Sequence, residues 1–187
     1  MLTAGEIAVQ IRLGEIAWPG ELRGDGLLLR LGSPLQPLAD PGHVIDLADQ
    51  DSINGLYASL LHNWDTFELA SGRMVLCAAS QTLRLGAGFA AAIASLSHLA
   101  RVGLATHVTS PWVMPGWDGH IAFELLNTGP ATLRLHRDMP VARAVIMRMD
   151  GAAHDPVPHA HYGHPEDLGS RYAAEFASLL TANGTGA

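Results

Sequence analysis

The sequence predicts a single all-β domain, a sandwich or a barrel, and three observations carry that prediction. Apolar runs of strand length at 27–31, 44–47, 66–69 and 74–85 are separated by Gly, Pro, Asp and Ser rather than by long helical stretches. Alternation is clearest over 120–127, where Ile121, Phe123 and Leu125 fall on one side and His120, Ala122, Glu124 and Leu126 on the other. A chain of 187 residues, 48% hydrophobic and only 16% charged, is large enough to bury one core and too apolar to stay disordered.

Each element follows from local chemistry. Thr3-Ala-Gly-Glu6 reads as a capping box; Ile7 and Ile11 share a helical face, and Gly14 is a stop, so a short helix spans about 4–13. The four runs above are strands, with 48–63 an excursion between them whose helical character is open. A strand over 89–94 leads into one helical turn at 97–101 before Gly103, and 105–113 is a further strand ended by the Pro115-Gly116 turn. Strands at 132–136 and 141–149 are joined by Arg137-Asp-Met-Pro140. After Gly151 the chain is rich in Pro and His as far as Pro165, and a helix over about 167–181 precedes the end. The chain therefore divides into a β domain with its N-terminal helix, 1–150, and a C-terminal tail and helix, 151–187.

Composition removes several function classes. Net charge is −7, which gives no electrostatic footprint for nucleic acid. All eleven basic residues are arginines, so a lysine-dependent phosphate loop is excluded, and any phosphate must meet guanidinium forks or backbone amides. The single Cys77, inside an apolar run, reads as a core residue and cannot build a cysteine-rich zinc site. The N-terminus has no basic-then-apolar leader and no apolar run approaches ~18 residues, so neither a membrane partner nor export is expected and a cytoplasmic location is. His154, His159, His161 and His164 invite a metal, but the interspersed prolines and the lack of a helical pair favour a polar tail. Trp18, Trp64, Trp112 and Trp117 read as core or subunit-interface anchors.

Glu124 stands out, because a carboxylate on a strand with apolar neighbours needs a partner or a task. The residues around it resemble a known family. Ser97-His-Leu-Ala-Arg-Val-Gly103, His107-Val-Thr-Ser110 and Pro115-Gly-Trp-Asp-Gly-His-Ile-Ala-Phe-Glu124 are similar to three motifs of the deoxycytidine triphosphate deaminases. Gly24-Asp-Gly-Leu-Leu-Leu-Arg-Leu-Gly32 and the Tyr162…Ser170-Arg171 ending resemble two more. The resemblance implies a dUTPase-like distorted β-barrel, close to a jelly-roll sandwich, with a short N-terminal and a C-terminal helix. It also implies a homotrimer with active sites at the subunit interfaces, and a tail that closes over the nucleotide.

The implied reaction is hydrolytic deamination of a deoxycytidine nucleotide, dCTP to dUTP and ammonia in the first instance. Glu124 takes the place of the general base, and Ser97 and Arg101 those of the residues that hold base and water. His107, Val108, Thr109 and Ser110 correspond to the nucleotide-contacting loop, and Tyr162 and Arg171 to the tail. The chemistry needs no zinc; the other deaminase route requires a His-x-Glu with a paired-cysteine site, which one cysteine cannot supply. Magnesium would accompany the phosphates.

Several positions depart from the family pattern. An arginine that holds triphosphate is replaced by Leu96, a serine by His98, and two aspartates by Leu28 and Met114. A glutamine gives way to Arg143 and a turn glycine to Asp138. The lost acids argue against phosphate hydrolysis, and the lost arginine against triphosphate unless Arg143 or Arg171 replaces it. Two other readings follow: a nucleotide-binding or regulatory homologue without turnover, and a deaminase of a modified or lower-phosphate cytidine nucleotide.

Overall fold

The computed structural model of the chain describes residues 1–40, 42–151 and 163–182. In order, the elements are α1 (Ala4–Arg12), β1 (Ile16–Ala17), β2 (Leu27–Pro37), α2 (Gln50–Asn54), β3 (Thr66–Leu69), β4 (Met74–Leu85), β5 (Phe89–Ser95), α3 (Ser97–Ala100), β6 (Leu104–Ala105), β7 (Trp112–Val113), β8 (Asp118–Asn127), β9 (Leu133–His136), β10 (Pro140–Arg148) and α4 (Tyr172–Ala182). The all-β reading holds. Eight strands form one antiparallel sheet in the order β6-β8-β4-β2-β10-β5-β7, with β1 added beside β4, and β3 pairs with β9 as a separate ribbon. β2 joins the two halves: residues 27–30 pair with β10, and residues 31–37 pair with β4 after a register shift.

The core forms where the inward faces of these strands meet. Ile121, Phe123 and Leu125 are buried on β8, together with Leu27, Leu29 and Leu31 of β2 and Val75, Cys77 and Ala79 of β4. The capping box is present as read: the Glu6 amide donates to Thr3 Oγ1, and the Thr3 amide donates to Glu6 Oε2 at 2.8 Å. α1 then buries Ile7. Trp18 and Trp64 are core residues; Trp117 packs against the core, whereas Trp112 is exposed.

Three expected elements differ. Residues 44–47 form a loop and not a strand, because the Asp46 side chain accepts the Ala48 amide and Ser52 Oγ accepts the Asp46 amide. These local bonds give the backbone an alternative to a ladder, and Val44 and Leu47 stay exposed. The strand expected over 105–113 splits into β6 and β7 around a loop. Thr106 is pulled aside by Ser95, whose Oγ lies 2.6 Å from Thr106 Oγ1, and Pro111 has no amide to donate. The C-terminal helix begins at Tyr172, not 167, because residues 163–171 run as turns along the sheet. The excursion over 48–63 contains the short helix α2.

Segment 163–171 is held at both ends. The His120 amide donates to Gly163 O at 2.8 Å, and a β-carbon on Gly119 (φ +151°) would run into the Gly163 backbone. Only glycine permits that crossing. At the other end the Ser170 amide donates to Tyr57 Oη at 3.0 Å, and Gln50 Nε2 donates to Ser170 O at 2.8 Å. Leu168 is buried between these anchors against Leu76 and Ala78.

Candidate functional site

Glu124 emerges from the less buried face of β8, opposite Leu76 of β4. It lines a cavity of about 810 Å³ together with His107, Val108, Thr109 and Ser110. Both ends of the 106–111 loop are tied to β5: Thr106 to Ser95 as above, and Pro111 O accepts the Ile93 amide at 2.7 Å. The Val108 amide donates to Glu124 Oε2 at 2.9 Å. One carboxylate oxygen is thereby fixed to the loop, and the other makes no hydrogen bond among the described residues. His107 Nδ1 is buried without a hydrogen-bond partner. The rest of the lining is largely apolar, including Ile93, Trp112, Trp117, Ile121 and Phe123. Among the described residues, the charged groups that line it are Glu124 and Asp167, both acidic.

The C-terminal segment forms part of this wall. Asp167, Leu168, Gly169 and Ser170 line the same cavity, as does Tyr57 from the excursion after β2. Sequence reasoning missed Tyr57 and Asp167, for neither carries a local signal. Arg171 faces an adjoining polar cavity that shares Tyr57, Asp167, Gly169 and Ser170 with the first, and its Nη2 lies 3.4 Å from Asp167 Oδ1. Tyr162 lies outside the described residues, as do His154, His159 and His161.

Ser97, Arg101 and Arg143 do not join Glu124 within one chain. Ser97 opens α3 and faces a separate cavity of about 380 Å³ with Arg143, Leu28 and Leu96. Arg143 sits on β10 between Leu28 of β2 and Ala94 of β5, and its Nε is buried without a partner. Arg101, just after α3, is exposed and lines none of these cavities. Around the loops that carry these groups, Val102, Val108, Trp112 and Met114 are exposed apolar side chains.

Cys77 is fully buried on β4, and burial pushes its thiol up to about 12, so it is inert. No group of three His, Cys, Asp or Glu side chains converges on a metal position among the described residues. No helix among them is long and apolar enough to cross a membrane.

Comparison with known proteins places the chain. A family model described as "dCTP deaminase-like" matches residues 1–149. A dUMP-forming dCTP deaminase of Nocardioides sp. is 27% identical over 169 residues, covering 87% of each chain. One from Methanoculleus marisnigri is 29% identical over 157 residues, covering 82% of this chain and 83% of the relative. Among solved structures, the 2'-deoxycytidine 5'-triphosphate deaminase of Agrobacterium tumefaciens superposes with a TM-score of 0.60 at 18% identity over 80% of this chain. The match spans about half of that longer protein, 48%. An EIAV dUTPase superposes at 0.50 and 13% identity over 75% of this chain and 94% of its own.

Proposed function

Because the chain belongs to the dCTP deaminase-like family, we propose that it hydrolytically deaminates a deoxycytidine nucleotide, with dCTP the first candidate. The observation that carries this reading is Glu124: a carboxylate in a mostly apolar cavity, one oxygen anchored by the Val108 amide and the other free. The free oxygen takes a proton from water. The resulting hydroxide attacks C4 of the cytosine ring while that proton passes from Glu124 to N3, and Glu124 then carries the proton of the new C4 hydroxyl to the exocyclic amine. Ammonia leaves and the C4 carbonyl forms, so one water is consumed per amine released. The backbone of Thr109 and Ser110 holds the edge of the ring, while His107 stands beside the nucleotide.

Ser97 and Arg101 belong to this site from a neighbouring copy. Neither lines the Glu124 cavity of its own chain, and the exposed Trp112, Met114, Val102 and Val108 offer apolar surface that a homotrimer would cover. Magnesium enters with the phosphates. Bound with the nucleotide, it would neutralise charge on the phosphate oxygens.

The product admits two readings. The relatives' names specify dUMP, against the dUTP expected from the sequence. dUMP requires a second hydrolysis, yet the cavity around Ser97 and Arg143 has Leu28 on its wall and no carboxylate in its lining to activate water. An assay of ammonia and pyrophosphate over a panel of cytidine and deoxycytidine nucleotides tests both. Ammonia from dCTP, lost in Glu124→Gln, supports deamination; pyrophosphate in step with ammonia selects dUMP. Tight nucleotide binding without ammonia from any member of the panel leaves a regulatory binding protein.

A further inference from the structure

The cavity around Arg143 carries positive charge and has no carboxylate in its lining among the described residues. Arg30, Arg73, Arg134, Arg137 and Arg171 each sit near a carboxylate. Arg84 donates to Gly14 O, and Arg148 lies over the Phe89 ring. Arg12, Arg23, Arg101 and Arg143, by contrast, make neither an ion pair nor a side-chain hydrogen bond among the described residues, and of these Arg23 and Arg143 line one cavity together with Ser97 and His98. Asp25, the acid nearest Arg23 in sequence, accepts the Ala4 amide at 2.9 Å instead.

The fold sets the turn that carries Arg23 against Arg143. The 23–26 turn is closed by the Arg23 amide donating to Gly26 O at 3.0 Å. It lies against Arg143: a β-carbon on Gly24 (φ +58°) would come 3.0 Å from Arg143 Nη1. The guanidinium thus occupies space that a side chain at 24 would crowd. Two guanidinium groups on one cavity repel each other unless an oxyanion lies between them, and planar forks are matched to phosphate oxygens.

We propose that Arg23 and Arg143 form a two-arginine clamp for the polyphosphate end of the substrate, with the Ser97 hydroxyl as a further donor, and that Arg23 sets the preference for higher phosphorylation. That the oxyanion is part of a nucleotide rests on the deaminase reading; that a polyphosphate binds there does not. Two forks can each take two oxygens, which suits a di- or triphosphate better than a single phosphoryl group. The clamp lies beside Leu96, so the cavity keeps cationic character where its own floor is apolar.

The test titrates inorganic tripolyphosphate into the full-length protein by calorimetry and measures dCTP kinetics in parallel. Wild type binds tripolyphosphate, and Arg23→Ala and Arg143→Ala each weaken it by about ten-fold or more, the scale of one charge-assisted contact. Arg23→Lys recovers part of the loss; Arg143→Lys does not, because lysine has no donor at the Nε position. Arg23→Ala raises KM for dCTP by a similar factor, with a smaller rise for dCMP. Arg23 is exposed, so its variants should fold even where Arg143→Ala does not. Unchanged tripolyphosphate affinity in Arg23→Ala, or no binding to wild type, overturns the clamp. Loss of tripolyphosphate binding in Arg23→Ala, in a protein that releases no ammonia from any nucleotide, keeps the clamp and removes the deaminase reading.

Discussion

Mixing two inactive variants should restore activity. Glu124→Gln removes the base from one cavity, and Ser97→Ala removes the hydroxyl from the other cavity of the same chain. Alone, Glu124→Gln should lower turnover by ~10²- to 10⁴-fold, the usual contribution of a positioned general base. Neither change should disturb the fold. The side-chain amide introduced by Glu124→Gln keeps a carbonyl acceptor for the Val108 amide, which lies 2.9 Å from Glu124 Oε2, and the Ser97 hydroxyl makes no hydrogen bond among the described residues. If each site joins Glu124 of one copy to Ser97 of the next, a mixed trimer contains one pairing in which both groups are wild type. After random reassembly of equal amounts, about three-quarters of trimers are mixed and about one site in three of each is intact, so about a quarter of wild-type activity should return. The assay is ammonia release after dissociation and reassembly, with differently tagged variants to verify mixed trimers. Activity no higher than the sum of the separate variants, in verified mixed trimers, would refute the shared site.

Two further predictions concern the frame. Asp138 adopts φ +64°, a conformation in which a side chain costs roughly 1–2 kcal/mol; Asp138→Gly should stabilise the protein by about 0.5–1 kcal/mol after the extra chain entropy of glycine is subtracted. Arg30 Nη1 donates to the backbone oxygen of Asp138 at 3.0 Å, so that contact survives, and denaturant melts read the gain. Cys77 has a thiol raised from an ordinary value near 9.0 to about 12 by burial. A raised folded-state value means that the protonated thiol favours the fold fully below pH 9 and progressively less from pH 9 to 12. The stability advantage of wild type over Cys77→Ala should therefore shrink by up to about 1.4 kcal/mol per pH unit above that point. A constant difference between pH 8 and pH 11 would contradict this.

Much of the frame was legible because it depends on local chemistry. The capping box at Thr3 and Glu6 needs only a four-residue pattern, and the alternation of β8 needs only a period of two, so both appear as read. Glu124 stood out as a carboxylate among apolar strand neighbours, a local anomaly, but the role proposed for it comes from the resemblance of the 115–124 motif. What the sequence could not show depends on distant atoms. The break of the expected 105–113 strand is set by Ser95 reaching Thr106, and the course of 163–171 by a glycine crossing at Gly119 and a hydroxyl on Tyr57. Ser97 and Arg101 were legible as a helical turn but not as a turn outside the lining of the Glu124 cavity. Period and propensity say nothing about which cavity a turn borders.

On the shared-site proposal, the division of charge between the cavities gives a physical reason for two copies to complete one site. The charged lining of the Glu124 cavity is acidic, which suits an uncharged pyrimidine awaiting protons and repels a polyphosphate. The arginine-lined cavity has the opposite character and no carboxylate in its lining. A nucleotide carries both demands at its two ends, and the chain places their answers on different faces. Juxtaposing the acidic face of one copy with the basic face of the next satisfies both with one sequence. A heterologous interface that closes after three copies requires such unlike, complementary faces.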